Sequence, residues 1–369
     1  MSQPSSMSHV SGDVAQLQHM SPKQRAQDGT PWTRPSPWII AEAGVNHNGD
    51  VGIAHRLMDL AKLNGADAVK FQIFRAAAVS SEKADLVRYQ QRNSISGLSQ
   101  REMLSALELP KSAWQEIASH ATELGISFFA TAFDLESLDV LLGLGVGVLK
   151  VSSGELTTGP LLRSVAACRL PTIISTGMAN LDEVRRAVSY FPDDLPLAIL
   201  HCTTDYPAPI TSCNLRAITT LAIAFPGATI GWSDHTSNGV SALVAVGLGA
   251  QVFERHLTYD RGASGPDHAA SSTPEEFRAY TAGVRAAASA MGTGEKVPHD
   301  SELEARLKVR RSWHSARDLQ LGDVISDGDV VALRPATGMS AMVDLTGRVI
   351  RRPVAAGSVV VDDDIMGAE

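Results

Sequence analysis

From Trp38 onward, short apolar and β-branched runs alternate with longer stretches whose apolar positions recur every three or four residues. The short runs at Trp38–Ala41, Ala68–Phe71, Ser127–Ala130, Gly147–Val151, Thr172–Ser175, Ala198–His201, Thr229–Trp232 and Val252–Arg255 predict eight strands. Amphipathic stretches such as Val51–Asn64, Lys111–Leu124, Leu135–Leu142, Leu181–Tyr190, Leu215–Ala224, Gly239–Leu248 and Pro274–Met291 predict helices between and after them. Eight strand-and-helix units over roughly 250 residues have the rhythm and size of an α/β chain folded as a (β/α)8 TIM barrel. In such a barrel the active site gathers where the strands end.

Four stretches break the rhythm. Residues 1–36 are rich in Ser, Pro and Gln without apolar periodicity, and read as a disordered extension ahead of a catalytic domain at 37–291. Residues 73 to about 109, with Tyr89-Gln90-Gln91-Arg92-Asn93, form an unusually long second connection, placed to cover the barrel mouth. Residues 292–308 read as a linker ending in a short charged helix. From 309 to 369, short β-rich runs separated by turns predict a small second domain.

Composition narrows the class. At 44% hydrophobic and 20% charged residues the chain can bury a large core. A formal net charge of -8 argues against nucleic acid or an anionic membrane as partner, while leaving room for a local basic pocket. No run of about 18 uncharged apolar residues predicts a membrane span. Cys168, Cys202 and Cys213 are too few and too irregularly spaced for a disulfide frame or zinc ribbon, and no signal-peptide pattern opens the chain. A reduced, cytoplasmic protein is the expectation.

The chemistry-bearing residues fall at or just past the strand ends. His235 follows Ile230-Gly231-Trp232-Ser233-Asp234, and His256 ends Val252-Phe253-Glu254-Arg255, so two imidazoles meet on one rim, an arrangement that holds a divalent metal open for chemistry. Either one taken alone is more often a hydrogen-bonded structural histidine, since a metal site needs several ligands; the company of the other rim residues favours the metal. Lys70 and Lys150 close buried strands, where a lysine is costly unless an anion satisfies it or its stem lets it reach water. Ser175-Thr176-Gly177-Met178 offers hydroxyls and backbone N–H groups for a phosphate at the following helix start, or a plain helix cap. Glu42 and Glu155 are carboxylates suited to general-base work, hydroxyl binding or pairing with the lysines.

In series, Ile40-Ala41-Glu42-Ala43-Gly44-Val45-Asn46-His47-Asn48-Gly49, Lys70-Phe71-Gln72, Lys150-Val151-Ser152-Ser153-Gly154-Glu155, Ser175-Thr176-Gly177-Met178, Ser233-Asp234-His235-Thr236 and Gly265-Pro266-Asp267-His268 resemble the sialic acid synthase family, and the tail from 309 resembles its antifreeze-like SAF domain. The resemblance implies condensation of phosphoenolpyruvate with an N-acetylmannosamine-type sugar and water, giving a nine-carbon 2-keto acid and phosphate by C–O cleavage. It implies a divalent cation, preferably Mn2+, on His235 and His256. Lys70, Thr131, Lys150, Ser153 and Ser175 match the groups that hold phosphoenolpyruvate, and Glu42, Tyr206 and Asp267 those that meet the sugar or a metal-bound water. Gln72, Asn93 and Phe133 are further pocket candidates, and Glu155 is the expected carboxylate facing the developing cation. Arg311, with Arg310 as its alternative, matches an arginine that reaches the partner's barrel in a domain-swapped homodimer. Thr204 stands where members acting on plain N-acetylmannosamine carry Asn, which brings the chain closer to legionaminic or pseudaminic acid synthases, acting on diacetamido-trideoxy sugars. Two readings compete: a metal-dependent pyruvate aldolase on the same barrel, which would not need the phosphate-binding set, and a non-enzymatic binding protein using the antifreeze-like tail against ice or glycans, which would need a flat exposed face.

Overall fold

A computed structural model describes residues 30–87, 90 and 98–367. They fall into two units, one ending at Gly292 and one beginning at Thr293.

The first unit is a closed barrel of eight parallel strands in sequential order. In chain order its elements are β1 Trp38–Gly44, α1 Val51–Leu63, β2 Ala68–Ile73, α2 Ala76–Val79, α3 Gln100–Ser105, α4 Lys111–Leu124, β3 Ser127–Ala132, α5 Leu135–Gly143, β4 Leu149–Val151, α6 Gly159–Ala167, β5 Thr172–Ser175, α7 Leu181–Val188, β6 Leu197–Cys202, α8 Ala217–Ala224, β7 Thr229–Asp234, α9 Val240–Gly247, β8 Val252–His256 and α10 Pro274–Ala290. All eight predicted strands are present. Six run two or three residues further than their apolar runs or, at β8, one residue further, because polar residues that meet partners inside a barrel prolong a ladder just as apolar ones do. Helix α6 answers to no named stretch in the sequence reading; Pro160 at its first turn and a buried stripe of Leu161, Leu162, Val165 and Ala166 build it.

Side chains alternate across each strand. Those facing outward, such as Ile39, Val69, Ile174, Ile199, Trp232 and Phe253, pack beneath the helices in the main core. Those facing inward make two layers of opposite character. The lower one is apolar: Trp38, Ile40, Phe129, Val148, Ile173, Leu200 and Val252 fill it. Inside this layer Gly231 has no room for a Cβ, which would stand 2.3 Å from the Val252 carbonyl oxygen and 2.4 Å from Leu200 Cδ2. The upper layer is polar and carries the site.

Residues 30–36, assigned by the sequence reading to the disordered extension, need correction. Trp32 is 1% exposed and its ring lies 5.8 Å from that of Trp38, which stacks in turn on Phe129. A lone tryptophan in a Pro-rich stretch has no period to betray it, yet here it covers the barrel floor. Residues 1–29 lie outside the described residues, as does Asn93. Of the long second connection, residues 73–87, 90 and 98–109 are described and include α2 and α3, α3 opening with a Ser99/Glu102 capping box.

The second unit begins with α11 (Asp300–Val309) and continues with the antiparallel pair β9 (Ser312–Ser315) and β10 (Val330–Leu333). Leu319, Ile325, Leu345, Ile350, Val354, Val360 and Ile365 form its own small core. Arg311 is exposed between α11 and β9. Among the described residues no helix is long and apolar enough to cross a membrane.

Candidate active site

The polar layer exists because strand register brings its members level. Glu42 pairs with Lys70 on one side and His256 on the other, Thr131 with Lys150, and Ser233 with Glu254. They line a cavity of about 750 Å3 at the C-terminal ends of the strands.

Two lysines and two glutamates form its floor. Lys70 Nζ lies 2.6 Å from Glu42 Oε2 and donates to Thr131 Oγ1 at 3.0 Å. Lys150 Nζ donates to Ser175 Oγ at 2.7 Å. Glu254 stands between the two ammonium groups, 3.8 Å from Lys70 and 3.5 Å from Lys150, and accepts from Ser233 Oγ at 3.0 Å. Gln72 Nε2 donates to Glu42 Oε1 at 2.9 Å.

Burial and these neighbours divide the two glutamates. Burial raises the Glu42 pKa to about 7 against the opposing charge of Lys70. Burial also resists charge on Glu254, but Lys150 and Lys70 outweigh it and hold its pKa down to about 2. Burial likewise opposes charge on Lys70, where Glu254 and Glu42 overcome it and raise the pKa; on Lys150 burial prevails and lowers it. Asp267 is pushed up to about 6 by burial, with His235 and Lys70 opposing.

Above this floor stand the two histidines, ring centroids 5.4 Å apart, with the Tyr206 ring against both. His235 Nδ1 donates to the Thr203 carbonyl at 2.8 Å, which leaves Nε2 of the neutral ring with its lone pair. Burial opposes charge on His235, but Cys202, whose Sγ lies 3.7 Å from Nδ1, and the Thr203 carbonyl raise its pKa to about 9. Burial and the neighbouring His235 drive His256 well below the usual range, keeping it neutral. Its Nδ1 is buried without a hydrogen-bond partner, and Asp267 Oδ2 lies 3.9 Å away. A pair of imidazoles, one oriented by a backbone carbonyl and one with an orphaned ring nitrogen, suits a divalent cation. Among the described residues no group of three or more His, Cys, Asp or Glu could hold one, so solvent and substrate would complete the coordination. Uptake would displace the proton that Cys202 and Thr203 favour on His235.

Of the residues singled out from sequence, Glu42, Lys70, Gln72, Thr131, Phe133, Lys150, Ser153, Ser175, Tyr206, His235, His256 and Asp267 all line this cavity. Two expectations change. Glu155 closes the short 3-10 turn Ser153–Glu155, where its backbone N–H bonds Ser152; it does not line the cavity, and Glu254 is the carboxylate between the lysines. Period-two alternation could have found Glu254, since an inward His256 puts residue 254 inward as well. The Ser175–Met178 segment is not a helix start either: α7 begins at Leu181 behind an Asn180/Glu183 capping box, and Ser153 Oγ accepts from Gly177 N–H at 2.9 Å. A Cβ on Gly177 would sit 2.1 Å from Thr204 Oγ1 and 2.9 Å from Ser153 Oγ, so any larger residue there would have to displace those hydroxyls. Arg311 belongs to the second unit.

Phe133 and the long second connection, expected at the pocket and over the barrel mouth, belong to an apolar outer wall. Val45, Phe74, Leu104, Leu107 and Phe133 form an apolar cluster, and with Val79, Val87 and Met103 they line the cavity's upper side.

The NeuB family model matches residues 57–296, and the SAF domain model residues 310–366. The chain is 44% identical over 336 residues to the N,N'-diacetyllegionaminic acid synthase of Legionella pneumophila, covering 89% of this chain and 94% of that one. It is 42% identical to the enzyme of that name from Campylobacter jejuni, covering 82% and 92%. Among solved structures, the N-acetylneuraminic acid (sialic acid) synthetase of Leptospira borgpetersenii superposes with a TM-score of 0.65 at 32% identity, over 73% of this chain and 90% of that one. With its closed barrel, its rim of paired lysines and histidines and its β-rich tail, the chain belongs to the NeuB family of sialic acid synthases and is an enzyme completed by an SAF domain.

Proposed function

We propose that this enzyme condenses phosphoenolpyruvate with a 2,4-diacetamido-trideoxy hexose and water, releasing phosphate and a legionaminic-type nine-carbon 2-keto acid. The observation that carries the reaction class is the buried floor of Lys70 and Lys150 with Thr131 and Ser175, beneath two imidazoles. Cationic and hydroxyl donors in a buried layer fit the phosphate and carboxylate of phosphoenolpyruvate. The choice of sugar is supported by 44% and 42% identity to two diacetyllegionaminic acid synthases, against 32% to the Leptospira sialic acid synthetase. It is supported too by the apolar upper wall, which favours methyl and acetamido groups over a free hydroxymethyl.

A divalent cation on His235 and His256, Mn2+ in the family's pattern, would polarise the aldehyde oxygen of the open-chain sugar. Lys70, Thr131, Lys150, Ser153 and Ser175 hold phosphoenolpyruvate so that its C3 faces the aldehyde carbon. As the C3–C1 bond forms, positive charge develops at C2, and Glu254, ionised between the lysines, faces it. Water adds to C2 and gives up a proton; Glu42 or Asp267, both poised near neutrality, accepts it. That proton passes to the former aldehyde oxygen, which becomes a hydroxyl; the C2 hydroxyl then gives its proton to the departing phosphate as the bond from C2 to the phosphate oxygen breaks and the keto group forms. Tyr206, Gln72 and Phe133 border the sugar. Arg311 of a second copy, exchanged through the SAF domain of a homodimer, reaches the sugar's acyl group. The three free cysteines go with a reducing, cytoplasmic setting.

Phosphate release from phosphoenolpyruvate with Mn2+, compared for the diacetamido-trideoxy sugar, N-acetylmannosamine and no sugar, tests this. Release that needs the diacetamido sugar and vanishes in His235→Ala is the expected result. Preference for N-acetylmannosamine would move the enzyme to neuraminate synthesis, and carbon–carbon cleavage without phosphoenolpyruvate would return it to the aldolases.

A further inference from the structure

We infer that Asp234 and Arg255, on the faces of β7 and β8 turned away from the cavity, are positioning residues that set the spacing of His235 and His256. This rests on the reading of those histidines as a metal pair.

The two residues are direct partners in the β7–β8 register, and each is the chain neighbour of one histidine. Both are buried. Arg255 Nη1 lies 3.2 Å from Asp234 Oδ2. Most other contacts of the pair run to the loops that follow the two histidines, and the rest to α9 and α10. Asp234 Oδ1 accepts from the backbone N–H of Thr236 at 2.9 Å and from its hydroxyl at 2.7 Å, folding the chain tightly around His235. Asp234 Oδ2 accepts from Ser241 Oγ at 2.8 Å, tying that turn to α9. Arg255 Nε donates to Ser272 Oγ at 2.5 Å, and Ser272 N–H donates to the carbonyl of His256 at 2.9 Å. Arg255 also reaches the Asn238 carbonyl at 3.4 Å, and its guanidinium lies over the Tyr280 ring at 4.9 Å. One ion pair thus fastens the loop after β7 and the loop after β8 to each other, from behind.

Thermodynamic stability alone does not call for such a pair, since well-packed apolar residues serve a buried site as well. What apolar residues lack is direction. The forked guanidinium and the four-fold accepting carboxylate fix distance and angle, which two histidines without a third protein ligand need.

The test measures Mn2+ affinity of the metal-free full-length protein by loss of the free Mn2+ electron paramagnetic resonance signal, and phosphoenolpyruvate affinity without metal by calorimetry. His256→Ala is the control for the metal reading. Arg255→Lys keeps the charge and loses the fork; it is expected to weaken Mn2+ about 10- to 100-fold, with phosphoenolpyruvate affinity unchanged, because that ligand's cationic groups stand on β2 and β4. A merely structural role would lower both affinities together. Folded Arg255→Lys with wild-type Mn2+ affinity, or with both affinities reduced alike, overturns the inference. If circular dichroism finds Arg255→Lys unfolded, Ser241→Ala, which removes one bond from Asp234 and leaves both charges, decides by the same criterion. Equal Mn2+ binding by the wild type and His256→Ala would sink the metal reading itself, a distinct outcome.

Discussion

At the scale of single residues, Glu42 and Glu254 show how one layer gives two carboxylates different tasks. Both are buried, but Glu254 has two ammonium neighbours and Glu42 has one close, so Glu254 stays ionised while Glu42 titrates near neutrality. The kcat/KM profile of the free enzyme is therefore expected to carry an ionisation near pH 7 that disappears in Glu42→Gln. The same group bears on stability with a definite sign. A carboxyl whose pKa rises from 4.5 unfolded to about 7 folded contributes stability that is complete below 4.5 and lost as pH climbs through 7. Relative to Glu42→Gln, the wild type should lose on the order of 3 kcal/mol across that interval, read from urea midpoints of the metal-free protein at pH 4.5 and pH 8. Most of these residues were legible as types at strand ends. Glu254 was not, because it sits inside a run read for its apolar neighbours, and Glu155 was over-read because its motif follows a strand whose chain then turns away.

At the scale of elements, the strand pattern carried nearly everything, since a strand buried on both faces leaves a strong apolar signature. The losses came where an element is made by contacts rather than by period. Trp32 is the sharpest case: one side chain, no periodic company, and still part of the barrel's lower layer. Its replacement by alanine should cost about 3 to 5 kcal/mol, measured by denaturant unfolding. A chain beginning at Thr30 should match the full-length protein in the same assay, and one beginning at Thr33 should match Trp32→Ala. The loop after β5 is the second case, where a motif suited to a helix start is held instead by Ser153 and Leu200.

At the scale of the whole molecule, the barrel and the tail were both readable, the tail from its dense turns and the change of texture after Met291. What a single chain cannot display is an exchange between copies, so the role proposed for Arg311 calls for a mixture. Arg311→Ala and His256→Ala proteins, each inactive alone, are expected on subunit exchange to recover about a quarter of wild-type activity, because half of the dimers are mixed and one of their two sites is whole. No recovery would mean that Arg311 acts on its own barrel, and an Arg311→Ala protein active by itself would mean that it does not act at all. The tryptophan-covered floor has a kinetic side as well. A barrel stopped at one end is a blind well, and traffic in it is last in, first out: among the described residues the apolar layer closes the lower end, so a ligand lodged between Lys70 and Lys150 departs only after whatever lies above it, against the histidines and the apolar wall, has cleared the way.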